Sequence, residues 1–202
     1  MDDIDPIALQ KKLWPDITFY DLQREVIYSV ENNDETYVSA GNKLGKDFVT
    51  GFICVCKFLR CLKMGRTCRI VTTSVAEHHL SVLWAEIAKF LTTSKVPLLA
   101  RNGGPLVVNH MEIRFAREQD AKNPINYCVG RVSAKGEGLA GHHAEETLAV
   151  GDEASGIDDV AYTMFQGWAR HMLFIGNPNP CNNFFFRGIR AGDLLAKQGA
   201  EK

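Results

Sequence analysis

Thr36-Tyr37-Val38-Ser39-Ala40-Gly41-Asn42-Lys43-Leu44-Gly45-Lys46-Asp47 runs without a break into the apolar segment Phe48 to Leu62. A β-branched and aromatic run, a glycine-bearing loop ending in Gly-Lys, and an apolar pattern of helical period form the layout of a phosphate-binding loop. Such a loop works because its glycines let backbone N–H groups converge on phosphate oxygens. The helix behind it adds unpaired N-terminal donors and the positive end of its dipole. In this reading Lys46 supplies a point charge, and the backbone of Gly41, Asn42, Lys43, Leu44 and Gly45 supplies the cradle. Two positions depart from the pattern G-x-x-x-x-G-K-S/T: Ala40 stands at the first glycine, and Asp47 where a magnesium-ligating hydroxyl is expected. A glycine-rich surface turn accounts for the same residues, so the rest of the chain has to choose.

Downstream, Phe48, Phe52, Ile53, Val55, Cys56, Leu59 and Leu62 make a helix that is apolar nearly all round and therefore packed on more than one side, with Gly65 as its stop. Arg69 to Ser74 reads as a strand. Val75 to Leu91 reads as a helix whose buried stripe is Leu80, Leu83, Trp84, Ile87, Phe90 and Leu91. Strand, loop, helix, strand, helix is the rhythm of a parallel α/β sheet. Leu106 to Val108 and Met111 to Phe115 suggest a hairpin turning at Asn109-His110. Residues 117 to 126 are polar, and Ser133 to His143, with Gly136, Gly138 and Gly141, is expected as a loop.

Thr147-Leu148-Ala149-Val150-Gly151-Asp152-Glu153-Ala154 is the second informative stretch. An apolar strand ending in Asp-Glu sends two carboxylates out at the strand's carboxyl end, where ligands bind in open α/β sheets. There Asp152 would hold magnesium and Glu153 would polarise an attacking water. The alternative is a strand followed by an acidic helix cap. A further strand, Met172 to Ile175, runs into Gly176-Asn177-Pro178-Asn179-Pro180, which is either a plain turn or a polar tip that places Asn177 against a γ-phosphate.

Upstream, residues 1 to 16 begin acidic and carry Pro6 and Pro15, the pattern of a short arm. Phe19, Leu22, Val26, Ile27 and Val30 then follow helical spacing, with Asp21 placed to cap. Gln23 lies on that helix just after the aromatic pair Phe19-Tyr20. A side-chain amide pairs with the N6 and N7 edge of adenine. An exposed helix glutamine is the competing account.

Composition narrows the class. The chain has 202 residues, 46% of them hydrophobic, which is enough for one ordinary domain to bury a core without staples. A formal net charge of −1 excludes a surface that is basic throughout, although Arg60, Lys63, Arg66 and Arg69 form a local cluster that a solvated helix end explains equally well. Six cysteines show no C-x-x-C pair and no histidine at zinc spacing, so they are expected as buried thiols in a reducing compartment. No apolar run approaches 18 residues, and neither a membrane span nor a membrane partner is expected. Phe184, Phe185 and Phe186 are expected to pack, and Arg187 to Lys202 to form a polar tail, helical or frayed.

Taken together, these motifs resemble the ATPase domain of the large terminase subunit of tailed bacteriophages. The resemblance spans nearly the whole chain. It rests on Phe19 to Gln23, Gly41 to Asp47, Ile70 to Phe90 with Leu83-Trp84, Gly136 to His143, Asp152-Glu153-Ala154 and Gly176-Asn177-Pro178. It implies a P-loop NTPase of the additional-strand, conserved-glutamate type, related to helicases, with ATP and Mg2+ as cofactors. Lys46 would then bind the β- and γ-phosphates, Asp47 and Asp152 the metal, and Gln23 with Phe19 and Tyr20 the adenine; Glu153 would activate water and Asn177 relay the γ-phosphate state. The implied partners are double-stranded DNA, the portal protein and the small terminase subunit. A ring of copies in the host cell cytoplasm is implied too, the isolated domain being a monomer.

The corresponding domain plan is an arm at 1–16, an ATPase core at 17–180, and a tail at 181–202 leading toward a nuclease domain; nuclease activity is not expected of these residues. The resemblance departs at two points. The arginine often found in such loops is replaced by Asn42 and Lys43, so Lys43, or Arg101, Arg117 or Arg131 of a neighbouring subunit, would supply that charge. The other is Asp47. A helicase-like or repair ATPase core, and a catalytically silent nucleotide-binding module, are the rival readings; Ala40 and Asp47 favour the silent module, and Glu153 speaks against it.

Overall fold

The computed structural model describes residues 4–41, 43–132 and 138–200. Along the chain, the helices are α1 (Pro6–Leu13), α2 (Asp21–Asn32), α3 (Lys46–Met64), α4 (Glu77–Thr93), α5 (Asp159–Gln166) and α6 (Phe184–Ala200). The strands are β1 (Glu35–Ser39), β2 (Cys68–Ser74), β3 (Leu106–Val108), β4 (Glu112–Phe115), β5 (Tyr127–Val132), β6 (Glu146–Asp152) and β7 (His171–Gly176). They form one sheet in the order β1-β7-β6-β2-β5-β4-β3. The first five positions are parallel, and the expected hairpin β3–β4 closes the far edge antiparallel. The fold is therefore a mostly parallel α/β sheet flanked by helices, as the motif order predicts.

The central strands are buried almost continuously because both sheet faces are covered, and successive side chains enter opposite cores. Ile70, Cys128, Leu148, Val150 and Leu173 face a core shared with α1 to α4, whereas Val71, Val129, Ala149, Met172 and Phe174 face a second core with Phe165, Trp168, Phe184 and Phe185. All-round apolarity of α3 has its reason here. Buried residues run continuously from Val49 to Cys61, and at Gly51 a Cβ would stand 3.2 Å from the backbone of Glu86 and Ile87, so α3 and α4 cross closely. Gly65, at φ 68°, ends α3 by donating its N–H to Cys61 and Leu62 carbonyls. The stripe Leu80, Leu83, Trp84, Ile87, Phe90, Leu91 is buried in full.

Several local expectations change. The stretch expected as an arm folds as α1, and Trp14 is 2% exposed, its indole N–H bonded to the Phe90 carbonyl. Helix α2 begins at Asp21 itself, one residue earlier than a cap at Asp21 implies, with Tyr20 as N-cap and no side-chain capping bond. Its buried residues are Gln23, Ile27 and Val30, while Leu22 is 66% exposed. Sequence patterning assigns no element to Tyr127–Val132, yet β5 lies inside the sheet; Gly130 blurs its alternation because a Cβ there would lie 2.7 Å from Trp84 Nε1.

Two members of the basic cluster are in ion pairs: Arg60 meets Glu31 at 2.6 Å, and Arg66 joins Lys57 and Arg170 around Glu146. Cys54, Cys56, Cys61, Cys68 and Cys128 are buried free thiols, and Cys181 is half-buried. Among the described residues no helix is long and apolar enough to cross a membrane. Phe184 and Phe185 pack as expected, but Phe186 is 44% exposed.

Candidate nucleotide site

Parallel pairing brings three strand ends to one edge. Ser39 is opposite Gly176 and Asp152 opposite Ile175, and Ala40 N–H extends the β1–β7 ladder to the Gly176 carbonyl at 3.0 Å. The loop after β1, the tip of β7 and the tip of β6 are thereby neighbours, with β7 as the strand inserted between the other two. The chain runs from β1 through α3 to β2, beyond β7 and β6, so this edge is also the topological switch point of the sheet.

The loop has the backbone a phosphate cradle requires. Lys43 and Gly45 are left-handed, at φ 66° and 72°, and Gly45 is the N-cap of α3. Successive turns of opposite hand point N–H groups inward. Asn42 lies outside the described residues. Lys46, 8% exposed, donates to Asn177 Oδ1 at 2.6 Å and to the Ala40 carbonyl at 3.3 Å, and stands 3.7 Å from Glu153 Oε1. A buried ammonium thus bridges the loop and both strand tips.

Carboxylates crowd the same corner. Asp152 is 3% exposed, and burial, reinforced by the charges of Asp47 and Glu153, pushes its pKa up to about 7. Burial likewise raises Asp47, with the neighbouring Glu153 adding to the effect and Asp47's own backbone N–H and Lys46 opposing it. Among the described residues no group of three or more His, Cys, Asp or Glu is arranged as a metal cage. Two carboxylates beside a phosphate cradle suit a cation that keeps water and phosphate oxygens as its other ligands, which is the habit of magnesium.

Beside the loop, a cavity of about 430 Å³ opens between α2 and β1, lined by Tyr20, Gln23, Val26, Val38, Gly41 and Lys46 among others. Tyr20 Oη donates to the Leu44 carbonyl, tying the start of α2 to the loop. Gln23 is buried against Gly45, where a Cβ would come within 2.8 Å of its Nε2. Phe19 is not in the cavity; it is a core residue at 2% exposure, with its ring centroid 4.6 Å from Phe52 and 5.6 Å from Phe48. Leu22, Val26 and Ser29 line the wall, a role that only the placement of α2 along β1 reveals.

The candidate charge donors are scattered. Lys43 is exposed on the loop. Arg131 lies at the carboxyl end of β5, two strands from β6, with its guanidinium 3.3 Å from the Gly130 carbonyl. Arg101 and Arg117 sit on 3₁₀ turns beside β3 and β4, at the opposite edge of the sheet from β1. Neither shares the corner of Lys46 within its own chain. Of the glycine-rich phrase, Gly136 and Glu137 are outside the described residues; His142 is held by Tyr127 Oη at 2.6 Å and the Gly138 carbonyl at 2.9 Å.

No protein-family model matches the chain. No curated protein matches it either. Solved structures do. The ATPase domain of the Thermus phage P74-26 large terminase aligns with a TM-score of 0.59 at 14% identity, over 93% of this chain and 74% of that one; a point mutant of that domain gives 0.62 at the same identity and coverage.

This is the fold of a phage large terminase ATPase domain.

The large terminase of bacteriophage HK97 gives 0.57 at 15% identity, over 90% of this chain and 38% of that chain. Likeness at this level is one of terminase ATPase architecture.

Proposed function

We propose that this chain is an ATP hydrolase, the motor domain of a large terminase that couples hydrolysis to translocation of double-stranded viral DNA. One observation carries the reading: the Lys46 ammonium lies 2.6 Å from Asn177 Oδ1 and 3.7 Å from Glu153 Oε1, so the loop's cation touches the tips of two other strands. A triphosphate held by the loop would meet all three at once.

In this mechanism the backbone of Gly41 to Gly45 and the Lys46 charge bind and orient phosphate oxygens. Gln23 and Tyr20, on the wall of the adjoining cavity, bind the base. Asp47 and Asp152 hold the metal; bound there, Mg2+ neutralises phosphate charge and lines up the transferring group. Glu153 holds the attacking water and takes up its proton. Asn177, bonded to Lys46, shifts partner when the γ-phosphate is present or lost. The wider reading includes the portal protein, the small terminase subunit, a homo-oligomeric ring and the host cell cytoplasm. In such a ring a neighbour's Arg101, Arg117 or Arg131 supplies the arginine that the loop lacks.

Phosphate release by the purified chain with ATP and Mg2+ tests the proposal. Glu153→Ala should keep ATP binding and abolish turnover. Turnover within about tenfold of the native chain, a barrier change near 1.4 kcal/mol, would move the base elsewhere.

A further inference from the structure

Glu153 is held by more than its own strand. Its backbone is left-handed, φ 51° and ψ 47°, a conformation that a residue bearing a Cβ keeps only where its surroundings impose it. The ladder of β6 ends one residue earlier, at Asp152, so the imposition comes from the turn behind Glu153. Ala154–Gly156 is that turn, of 3₁₀ type. On one side it presses on β7, where a Cβ at Gly176 would be 3.0 Å from Ala154 N. On the other, a single amide nitrogen spans it: Asn183 Nδ2 donates toward the carbonyls of Ala154 at 3.0 Å, Ser155 at 3.3 Å and Ile157 at 2.7 Å.

Asn183 also begins α6. Its Oδ1 accepts from Phe186 N–H at 3.4 Å, and its carbonyl accepts from Arg187 N–H at 3.2 Å. The same helix end is tied to α5 through Asp159, which takes the Phe184 N–H at 2.6 Å and the Arg187 guanidinium at 2.9 Å. The segment from Asn177 to Asn183 therefore touches the site at both ends: the first residue accepts from Lys46, and the last donates to the turn that carries Glu153.

We infer that Asn183 is a positioning residue for Glu153: its amide clamps the turn after β6, fixes the left-handed backbone, and so aims the carboxylate toward Lys46. The catalytic consequence rests on the reading of Glu153 as the base; the clamp itself does not. A plain helix cap would need only the Asn183 oxygen. Serine and aspartate both cap well, and neither side chain offers the amide hydrogens that serve the carbonyls; aspartate in addition sets a negative charge against them.

Asn183→Ser and Asn183→Asp separate the two roles. With the clamp, both variants stay folded, Asp melting below Ser and both below the native chain, and keep its KM for ATP, while kcat falls at least about tenfold, further for Asp than for Ser. Amide exchange followed by mass spectrometry speeds up across residues 153–157 and stays unchanged in β2 and α3. Native kcat together with native exchange in both variants would overturn the inference, as would a rise in KM that accounts for the whole loss of kcat/KM. If the native chain releases no phosphate even at concentrations where copies associate, the motor reading fails, and exchange across 153–157 alone decides the clamp.

Discussion

Lys46 Nζ and Asn177 Oδ1 stand 2.6 Å apart although 131 residues separate them in sequence. The bond joins a loop to a strand tip. Removing each partner should have different effects. Lys46→Met deletes the charge and should weaken ATP binding by roughly 10- to 100-fold, the range of a charge-assisted hydrogen bond at about 1.5–3 kcal/mol. Asn177→Ala leaves the ammonium its Ala40 and Glu153 contacts, so affinity should stay within a few fold while turnover drops. Calorimetric titration beside a phosphate assay reads both. Unchanged affinity in Lys46→Met would remove that residue from the phosphate site.

Two glycines of the loop should respond oppositely to alanine. At Gly45, φ is 72° and a Cβ would lie 2.8 Å from Gln23 Nε2. Gly45→Ala should lose about 1–2 kcal/mol of stability from the left-handed backbone alone, and ATP affinity with it as Gln23 is displaced. At Gly41 a Cβ meets nothing within 4 Å, and Gly41→Ala should unfold in urea at the native midpoint. Equal midpoints for the two variants would contradict the loop geometry.

Asp47 places a carboxylate where a hydroxyl is expected. Without a cation its charge repels a triphosphate; with one, it is an additional hard oxygen ligand. The native chain should therefore depend on Mg2+ for ATP binding more steeply than Asp47→Ser does. Titrations with magnesium and with a chelator, on both proteins, give the comparison, and equal metal dependence would sink the idea.

Asp152 makes the metal-free chain sensitive to pH. Its pKa rises from 3.8 unfolded to about 7 folded, so between those values the folded state binds the extra proton and stability falls as pH rises. Relative to the native chain, Asp152→Asn should gain stability across that window, by up to roughly 4 kcal/mol. Thermal melts at pH 5 and pH 8 measure it. Added Mg2+ should recover the native chain at pH 8 and leave Asp152→Asn where it was; a difference that does not grow with pH would show that Asp152 is not held in a proton-hungry corner.

Sequence order carried the fold because periodicity and loop chemistry agree with it. The α4 stripe from Leu80 to Leu91 has one face to bury and buries it, and Gly45-Lys46 needs a helix behind it and has one. Harder to see were features decided by packing across the sheet. Phe19 sits one residue before Tyr20 yet turns into the core, because Phe48 and Phe52 offer it rings, while Tyr20 turns out to the loop. Leu22 shares its helix spacing with core residues but faces the cavity wall, and the buried position goes to Gln23. The reach of Asn183 back to residues 154–157 has no local signature, since a polar residue ahead of an aromatic run looks only like a cap.

The ion cluster around Glu146 bears on how the sheet carries load. Glu146 opens β6 and holds Lys57 at 3.2 Å, Arg66 at 2.9 Å and Arg170 at 3.6 Å, drawing on α3, the turn before β2 and the turn before β7. Its strand is flanked by β2 and β7, whereas among the described residues β1 has β7 as its one neighbour in the sheet. The acidic tip therefore stands on a post bolted at its foot, and the phosphate loop hangs from the sheet's rim. Strain imposed at this edge would be taken up first by displacement of β1 and α2, leaving Asp152 and Glu153 as the fixed reference of the site.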